Sequence, residues 1–382
     1  MKGAILMKIV SIEPTPSPNA MKINLDESLP PRVHKTYTKE NKHMAPEPIR
    51  RILEEIPAVK SVFHTADFLS LERVPSGDWR EILAKTREIF GEDAHVGPVS
   101  ESVDHFGEVK VYVQMFRKIP MQIRVRTELE EVRESLSQRF VDAAMEAGMA
   151  SPNLIRERKL VEWGIRYGEP KQIAEQVLQE LEAAYDDERL QALKERAMRL
   201  GEGEEPIEPP SAATPEEVLA ALDDPDWRKR YAALAQWKPE PDALNVLEKA
   251  LQDENVSVRR LAVVYLGDIG GDQVLPLLFR ALEDASPAVR RTAGDTLSDL
   301  GDPRAIPPMI KALKDENKLV RWRAARFLYE VGDETAVEAL KEAVNDPEFE
   351  VSLQAGLALE RIEKGEKAEG TIWQQMTRAR QS

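Results

Sequence analysis

From residue 214 to residue 364 the chain repeats one pattern of apolar and polar positions. An acid closing an amphipathic run recurs as Asp224, Asp253, Asp284, Asp315 and Asp346, at spacings of 29, 31, 31 and 31 residues. Two positions after each stand Asp226, Asn255, Ser286, Asn317 and Glu348, and the first four are types whose side chains cap a starting helix. Val258, Val289, Val320 and Val351 lie five positions after the acid, Ala233, Ala262, Ala293, Ala324 and Ala355 nine after, and Trp237, Leu266, Leu297, Leu328 and Leu359 thirteen after. This i, i+4, i+8 series is one buried helical face, with Lys229 the departure in the first register. The alanine at its centre is what a close helix crossing needs.

Each such helix is expected to stop at a glycine and hand over to an acid that caps the next: Gly271-Asp272, Gly301-Asp302 and Gly332-Asp333. The companion helices show Leu275, Leu278 and Leu282, then Ile306, Ile310 and Leu313, then Val337, Leu340 and Val344 on one face. The array opens at Thr214-Pro215-Glu216-Glu217, a capping box with proline in the first turn. These five helical hairpins resemble the short form of the HEAT-repeat family. An Asp followed six positions later by Arg matches it at Asp224/Arg230, Asp253/Arg259, Asp284/Arg290 and Asp315/Arg321. The resemblance implies an intra-repeat ladder of side-chain contacts and a solenoid that binds proteins. Ser352 stands where the fifth Arg is expected, which suits a terminal capping unit.

Earlier in the chain the apolar period changes to two. Strands are expected at Lys8–Glu13, Met21–Leu25, Val59–His64 and Phe68–Arg73, with helices at Pro48–Ile56 and, behind Asp78-Trp79-Arg80-Glu81, Trp79–Phe90. Glu13-Pro14-Thr15-Pro16-Ser17-Pro18-Asn19-Ala20-Met21-Lys22, Ala45-Pro46, Ile56 to Phe63, Asp67 to Leu71 and Trp79 resemble, in that order, the Nfu/NifU N-terminal domain. In iron–sulfur scaffold proteins that domain precedes a separate Cys-x-x-Cys domain, which this sequence lacks. Met7 heads the first strand pattern, which leaves two readings of the start of the chain: Met1, or Met7 with six residues of extension before it.

Residues 92–200 form a third segment. Val109, Val111, Val113 and Met115 alternate with polar or aromatic residues, as do Met121, Ile123 and Val125, which predicts a hairpin around Arg117-Lys118-Ile119-Pro120. Helices are expected at about 128–147, 153–163, 170–185 and 187–200. An Nfu-type unit, a hairpin-plus-helix unit and a HEAT array in this order resemble the bacterial conserved virulence factor C family. The fold class expected is therefore an α+β N-terminal part followed by an all-α HEAT-like solenoid. The divisions are 8–91, 92–200, a linker at 201–213 rich in Glu, Pro and Gly, 214–364, and a tail at 365–382. The halves on either side of the linker are expected to fold independently.

Charge narrows the function classes. The 382 residues carry 53 Lys and Arg against 68 Asp and Glu, a net charge of −15, and the excess acid sits mainly after residue 200. This opposes a nucleic-acid partner, including the alternative of a base-repair enzyme built on HEAT-like repeats. Cysteine is absent, which removes disulfides, thiolate metal sites and a Cys-ligated cluster. The five histidines lack ligand spacing, so neither metal nor cofactor is expected. No apolar run reaches the length of a signal core or membrane span, which reads as a cytoplasmic protein.

Two features are candidate binding sites. The stretch containing Pro16, Pro18 and Asn19 reads as a preformed binding edge or as a stiff connector. Seven positions after each repeat acid stand Tyr231, Arg260, Arg291, Trp322 and Leu353, off the apolar stripe, and the first four are of types enriched at protein hot spots. They are expected to line an open ridge, with packing against local neighbours as the alternative. The expected function is a non-enzymatic adaptor that binds a protein partner. Docking a carrier in iron–sulfur assembly without holding the cluster is one alternative, and a lyase-like chaperone of tetrapyrrole proteins another.

Overall fold

The computed structural model describes residues 7–14, 20–30, 33–74, 77–91, 107–127, 130–201, 204 and 213–365. Contacts divide the chain into two compact units, Met1–Gly107 with Pro347–Glu350, and Glu108–Asp346 with Val351–Ser382.

The first unit runs β1 (Ile9–Pro14), β2 (Ala20–Leu25), β3 (His34–Thr38), α1 (Glu47–Glu55), β4 (Val59–Thr65), β5 (Phe68–Arg73) and α2 (Trp79–Phe90). Its sheet has the order β1-β2-β5-β4-β3, with every pair antiparallel. Met21, Ile23, Val62, Leu69 and Leu71 point to one face and are buried with Ile49, Ile52, Trp79 and Ile82. The alternation in the sequence foretold four strands and both helices. It missed β3, whose His34-Lys35-Thr36-Tyr37-Thr38 buries only Tyr37.

The second unit begins with β6 (Glu108–Phe116), β7 (Ile119–Arg126), β8 (Glu131–Ser135), α3 (Gln138–Gly148), α4 (Leu154–Glu157), β9 (Arg158–Tyr167), α5 (Pro170–Ala184) and α6 (Asp187–Met198). The sheet order is β8-β7-β6-β9, again antiparallel throughout. Two helix assignments are corrected here. Residues 131–135 of the expected 128–147 helix form β8, and most of the expected 153–163 helix is the start of β9.

Ten helices follow as five hairpins. The first members are α7 (Pro215–Ala221), α9 (Leu244–Ala250), α11 (Leu275–Ala281), α13 (Ile306–Ala312) and α15 (Val337–Ala343). Their partners are α8 (Trp227–Gln236), α10 (Val256–Ile269), α12 (Pro287–Leu300), α14 (Lys318–Val331) and α16 (Phe349–Glu363). Val258, Ala262, Leu266, Val289, Ala293 and Leu297 are fully buried, as the i, i+4, i+8 stripe requires. Asp226, Asn255 and Asn317 cap their helices through the side chain, but Ser286 makes no such bond. Gly301 adopts the left-handed C-cap at φ 62°, whereas Gly332 sits at φ −61° and does not.

Candidate functional site

The Arg–Asp ladder differs from the expected one in its direction. Arg230 donates Nε and Nη2 to the two carboxylate oxygens of Asp253, in the next repeat, at 2.7 and 2.8 Å. From Asp224 of its own repeat it takes only the backbone carbonyl, at 2.8 Å. The same fork joins Arg259 to Asp284, Arg290 to Asp315 and Arg321 to Asp346. Each carboxylate from Asp253 to Asp315 also accepts the backbone N–H two residues on, at Asn255, Ser286 and Asn317. The ladder is therefore inter-repeat, a run of bidentate charge-assisted bonds that fixes the stacking of one hairpin on the next. Ser352 follows the last acid and turns its hydroxyl to the Val344 carbonyl at 2.6 Å.

The four ridge residues do line one face of the second helices, one on each of α8, α10, α12 and α14. That face is not open. Tyr231, Arg260, Arg291 and Trp322 are all buried, with Arg291 at 1% exposure and Trp322 at 2%. Over Tyr231, Arg260 and Arg291 the covering elements come from earlier in the same unit. Helix α5 packs along α8, and the end of β9 reaches α12. The hydrophobic core is accordingly continuous from Val109 to Ile362, and the expected independence of the segments flanking residues 201–213 is corrected by it.

Glu180 of α5 organises one end of this seam. Its Oε1 accepts from Ser257 Oγ of α10 at 2.8 Å and from Gln176 at 3.1 Å, and its Oε2 accepts from Arg166 of β9 at 3.1 Å. Burial alone would raise its pKa, but the charges of Arg166 and Arg260 and these hydrogen bonds leave it below the ordinary carboxylate value. Burial, and next the like charge of Arg166, lower the Arg260 guanidinium to about 10. Tyr231, enclosed beside them, is held well above the usual phenol range chiefly by burial. At the other end the Arg291 guanidinium lies 4.1 Å from the Tyr167 ring and 5.3 Å from the Trp322 ring. Its Nε donates to Asp295 and its Nη1 to the Leu319 carbonyl. These contacts join β9 to the repeats and bury the Arg291 guanidinium. Pro16, Pro18 and Asn19 lie outside the described residues.

Two features of the structure escaped the sequence reading. Glu180 occupies the apolar stripe Ile173, Val177, Leu181, Ala184 of α5, and an acid at such a position signals a buried partner. The other is a row of exposed apolar side chains. Val141 and Met145 project from α3 and Met149 from its C-cap, at i, i+4 and i+8, with Met145 63% and Met149 83% exposed. Helix α6 runs parallel beside it, tied by Arg139–Asp187 at one end and Lys194–Glu146 further along. Exposed Met198 therefore lies toward the Met149 end. At that end α4 closes in, because a Cβ on Gly148 would come within 2.1 Å of Leu154 Cδ1, and α4 shows Ile155 to solvent. The signal was readable as an i, i+4, i+8 row, but its sequence pattern is that of a core face.

Three family models match consecutive parts of the chain: scaffold protein Nfu/NifU N terminal over residues 10–97, virulence factor over 114–193, and HEAT repeats over 215–286 and 276–360. The uncharacterized protein YpgR of Bacillus subtilis is 54% identical over 377 residues, 98% of this chain and 99% of its own. Conserved virulence factor C of Staphylococcus aureus strain MRSA252 is 44% identical over 375 residues, 97% and 99% of the two chains. Among solved structures, protein SAV1430 of Staphylococcus aureus is 40% identical, covers 22% of this chain and 98% of its own, and gives a TM-score of 0.21. Among the described residues no helix is long and apolar enough to cross a membrane.

Proposed function

The chain belongs to the conserved virulence factor C family, and from that footing we propose that it is a non-enzymatic adaptor whose repeat-bearing unit holds a helix of a protein partner. The observation that carries this is the exposed row Val141, Met145, Met149 with Ile155 and Met198. That spacing makes one apolar strip along the helix, against which an amphipathic helix can lay its own apolar face. Methionine suits such a surface because its unbranched thioether adapts to the partner's side chains. Asp142 and Glu146 flank the row on α3, and the chain as a whole carries −15. The fitting partner is therefore a basic amphipathic helix. The seam and the inter-repeat ladder supply the rigid body that presents the row.

Fluorescence anisotropy with a synthetic Leu/Lys amphipathic helix tests this on the full chain. Binding by the wild type, lost at least about tenfold in Met145→Glu/Met149→Glu, is expected; tenfold corresponds to about 1.4 kcal/mol. Both side chains are exposed, so the melting curve should stay close to that of the wild type. Equal binding by the two proteins, or equal binding of a scrambled Leu/Lys peptide, would overturn the reading. Photo-crosslinkers at Met149 and at Met44, exposed in the first unit, then locate the native partner. Crosslinks at Met44 alone would favour carrier docking on the Nfu-type unit.

A further inference from the structure

Strand β9 is the outer strand of its sheet, paired with β6 on one side only. Its first half shows Leu160 at 41% and Val161 at 37% exposure, one apolar side chain on each face of an edge of the kind proteins normally blunt. Arg158, Leu160 and Glu162 share one face, opposite Phe116, Gln114 and Tyr112 of β6 in regular register. Among the described residues neither Arg158 nor Glu162 makes an ion pair, and Arg158 Nε is buried without a hydrogen-bond partner. The two charges are four residues apart along an extended chain, about 13 Å, too far to meet each other. Beyond them the register shifts and Gly164 adopts φ +102°, so the regular edge ends there.

We infer that this edge pairs with β9 of a second copy of the chain, antiparallel about a two-fold axis through Leu160. A two-fold perpendicular to the sheet keeps each strand face on its own side, so only registers centred on a residue are possible. Centred on Lys159, the pairing sets two lysines opposite one another; centred on Val161, it sets Leu160 against Glu162 twice. Centred on Leu160, it sets Leu160 against Leu160, Val161 against Lys159, and each Arg158 against the partner's Glu162. This is the one arrangement of the three in which the unpaired charges meet and like charges do not face each other. Five paired residues make an interface smaller than stable dimers use, so the dimer is weak and concentration-dependent.

Sedimentation of the full chain up to about 0.1 mM should show a monomer–dimer equilibrium. Arg158→Glu and Glu162→Arg should each abolish it, and Arg158→Glu/Glu162→Arg should restore it, with circular dichroism checking the fold of each. Register has a separate readout, because the chain contains no cysteine. Leu160→Cys should form a disulfide-linked dimer on oxidation with glutathione disulfide, while Glu162→Cys should not. A wild type that stays monomeric throughout overturns the inference, including where an unrelated extended peptide binds the edge instead. Equal crosslinking of the two cysteine variants overturns it as well.

Discussion

Asp315 serves three donors at once: Arg290 Nε at 2.7 Å, Arg290 Nη2 at 2.8 Å and the Asn317 backbone N–H at 2.8 Å. Its hydrogen bond in turn holds the Arg290 guanidinium above its ordinary pKa. Truncating the acid leaves a largely buried arginine without its carboxylate, so Asp315→Ala should lose about 3 to 5 kcal/mol in urea unfolding. Lys311 and Glu283 also bridge repeats but are well exposed, and Glu283→Ala should cost less than about 1 kcal/mol. Equal losses would show that the ladder is ornament. His64 makes the complementary prediction in the first unit. It is buried, its Nδ1 lacks a partner among the described residues, and burial followed by the charge of Lys35 lowers its pKa. Below about pH 6.5 the unfolded chain takes up a proton that the folded imidazole resists. Stability is therefore present above that pH and declines as pH falls toward the folded value. Protection factors of the β4 and β5 amides, corrected for the intrinsic pH dependence of exchange, should fall between neutral and mildly acid pH, and His64→Leu should flatten that response. An unchanged response in the variant would assign it to other groups.

At the scale of elements, legibility followed how local the determining signal was. The repeat helices could be read because stripe, cap and stop lie within one 31-residue period. The strands of the first unit could be read because Met21, Ile23, Leu25 and Leu69, Leu71 alternate on a half-buried sheet. Where a helix was expected and a strand formed, propensity lost to pairing. Glu131-Val132-Arg133-Glu134 is rich in helix formers, yet opposite β7 it sets Glu131 against Arg126 and Val132 against Val125. In β9 the run Lys159 to Trp163 carries no clear period of two, and β6 alone decides its conformation. The β6–β7 turn was expected, but Arg117 and Lys118 adopt φ 45° and 64° with neither Gly nor Asn present. Positive φ at both positions is what a two-residue hairpin matched to sheet twist demands. Arg117 is held there by Glu157 at 2.8 Å and by the carbonyls of Ala197, Leu200 and Gly201 at the end of α6. Those partners lie 40 or more residues away, which is why the turn's strain and its compensation were invisible locally.

Across the second unit the same distinction between local and distant signals decides how the segments cohere. Sequence spacing gives Tyr231, Arg260 and Arg291 the same place in successive repeats, and what lies against them comes from α5 and β9, outside the repeat. Separating the segments would expose Arg260 and Arg291 on one side and Glu180 and Tyr167 on the other. Parting would return apolar side chains of one continuous core to water, so the repeats should not part from the sheet when the connection between them is cut. A protease site placed between Glu205 and Ala212 should therefore yield two fragments that co-elute on gel filtration at neutral pH. High salt should not separate them, because the pairs lie inside the protein where screening is weak. Glu180→Lys places a third cation beside Arg166 and Arg260, and its cleaved fragments should separate or aggregate. Acid should act in the same direction. The Glu180 pKa is depressed in the folded chain, so its contribution is present above the ordinary carboxylate value and is lost as pH falls through the folded one. Fragments that elute apart at neutral pH without denaturant would mean that residues 214–365 stand alone, with the arginine and aromatic face open to solvent.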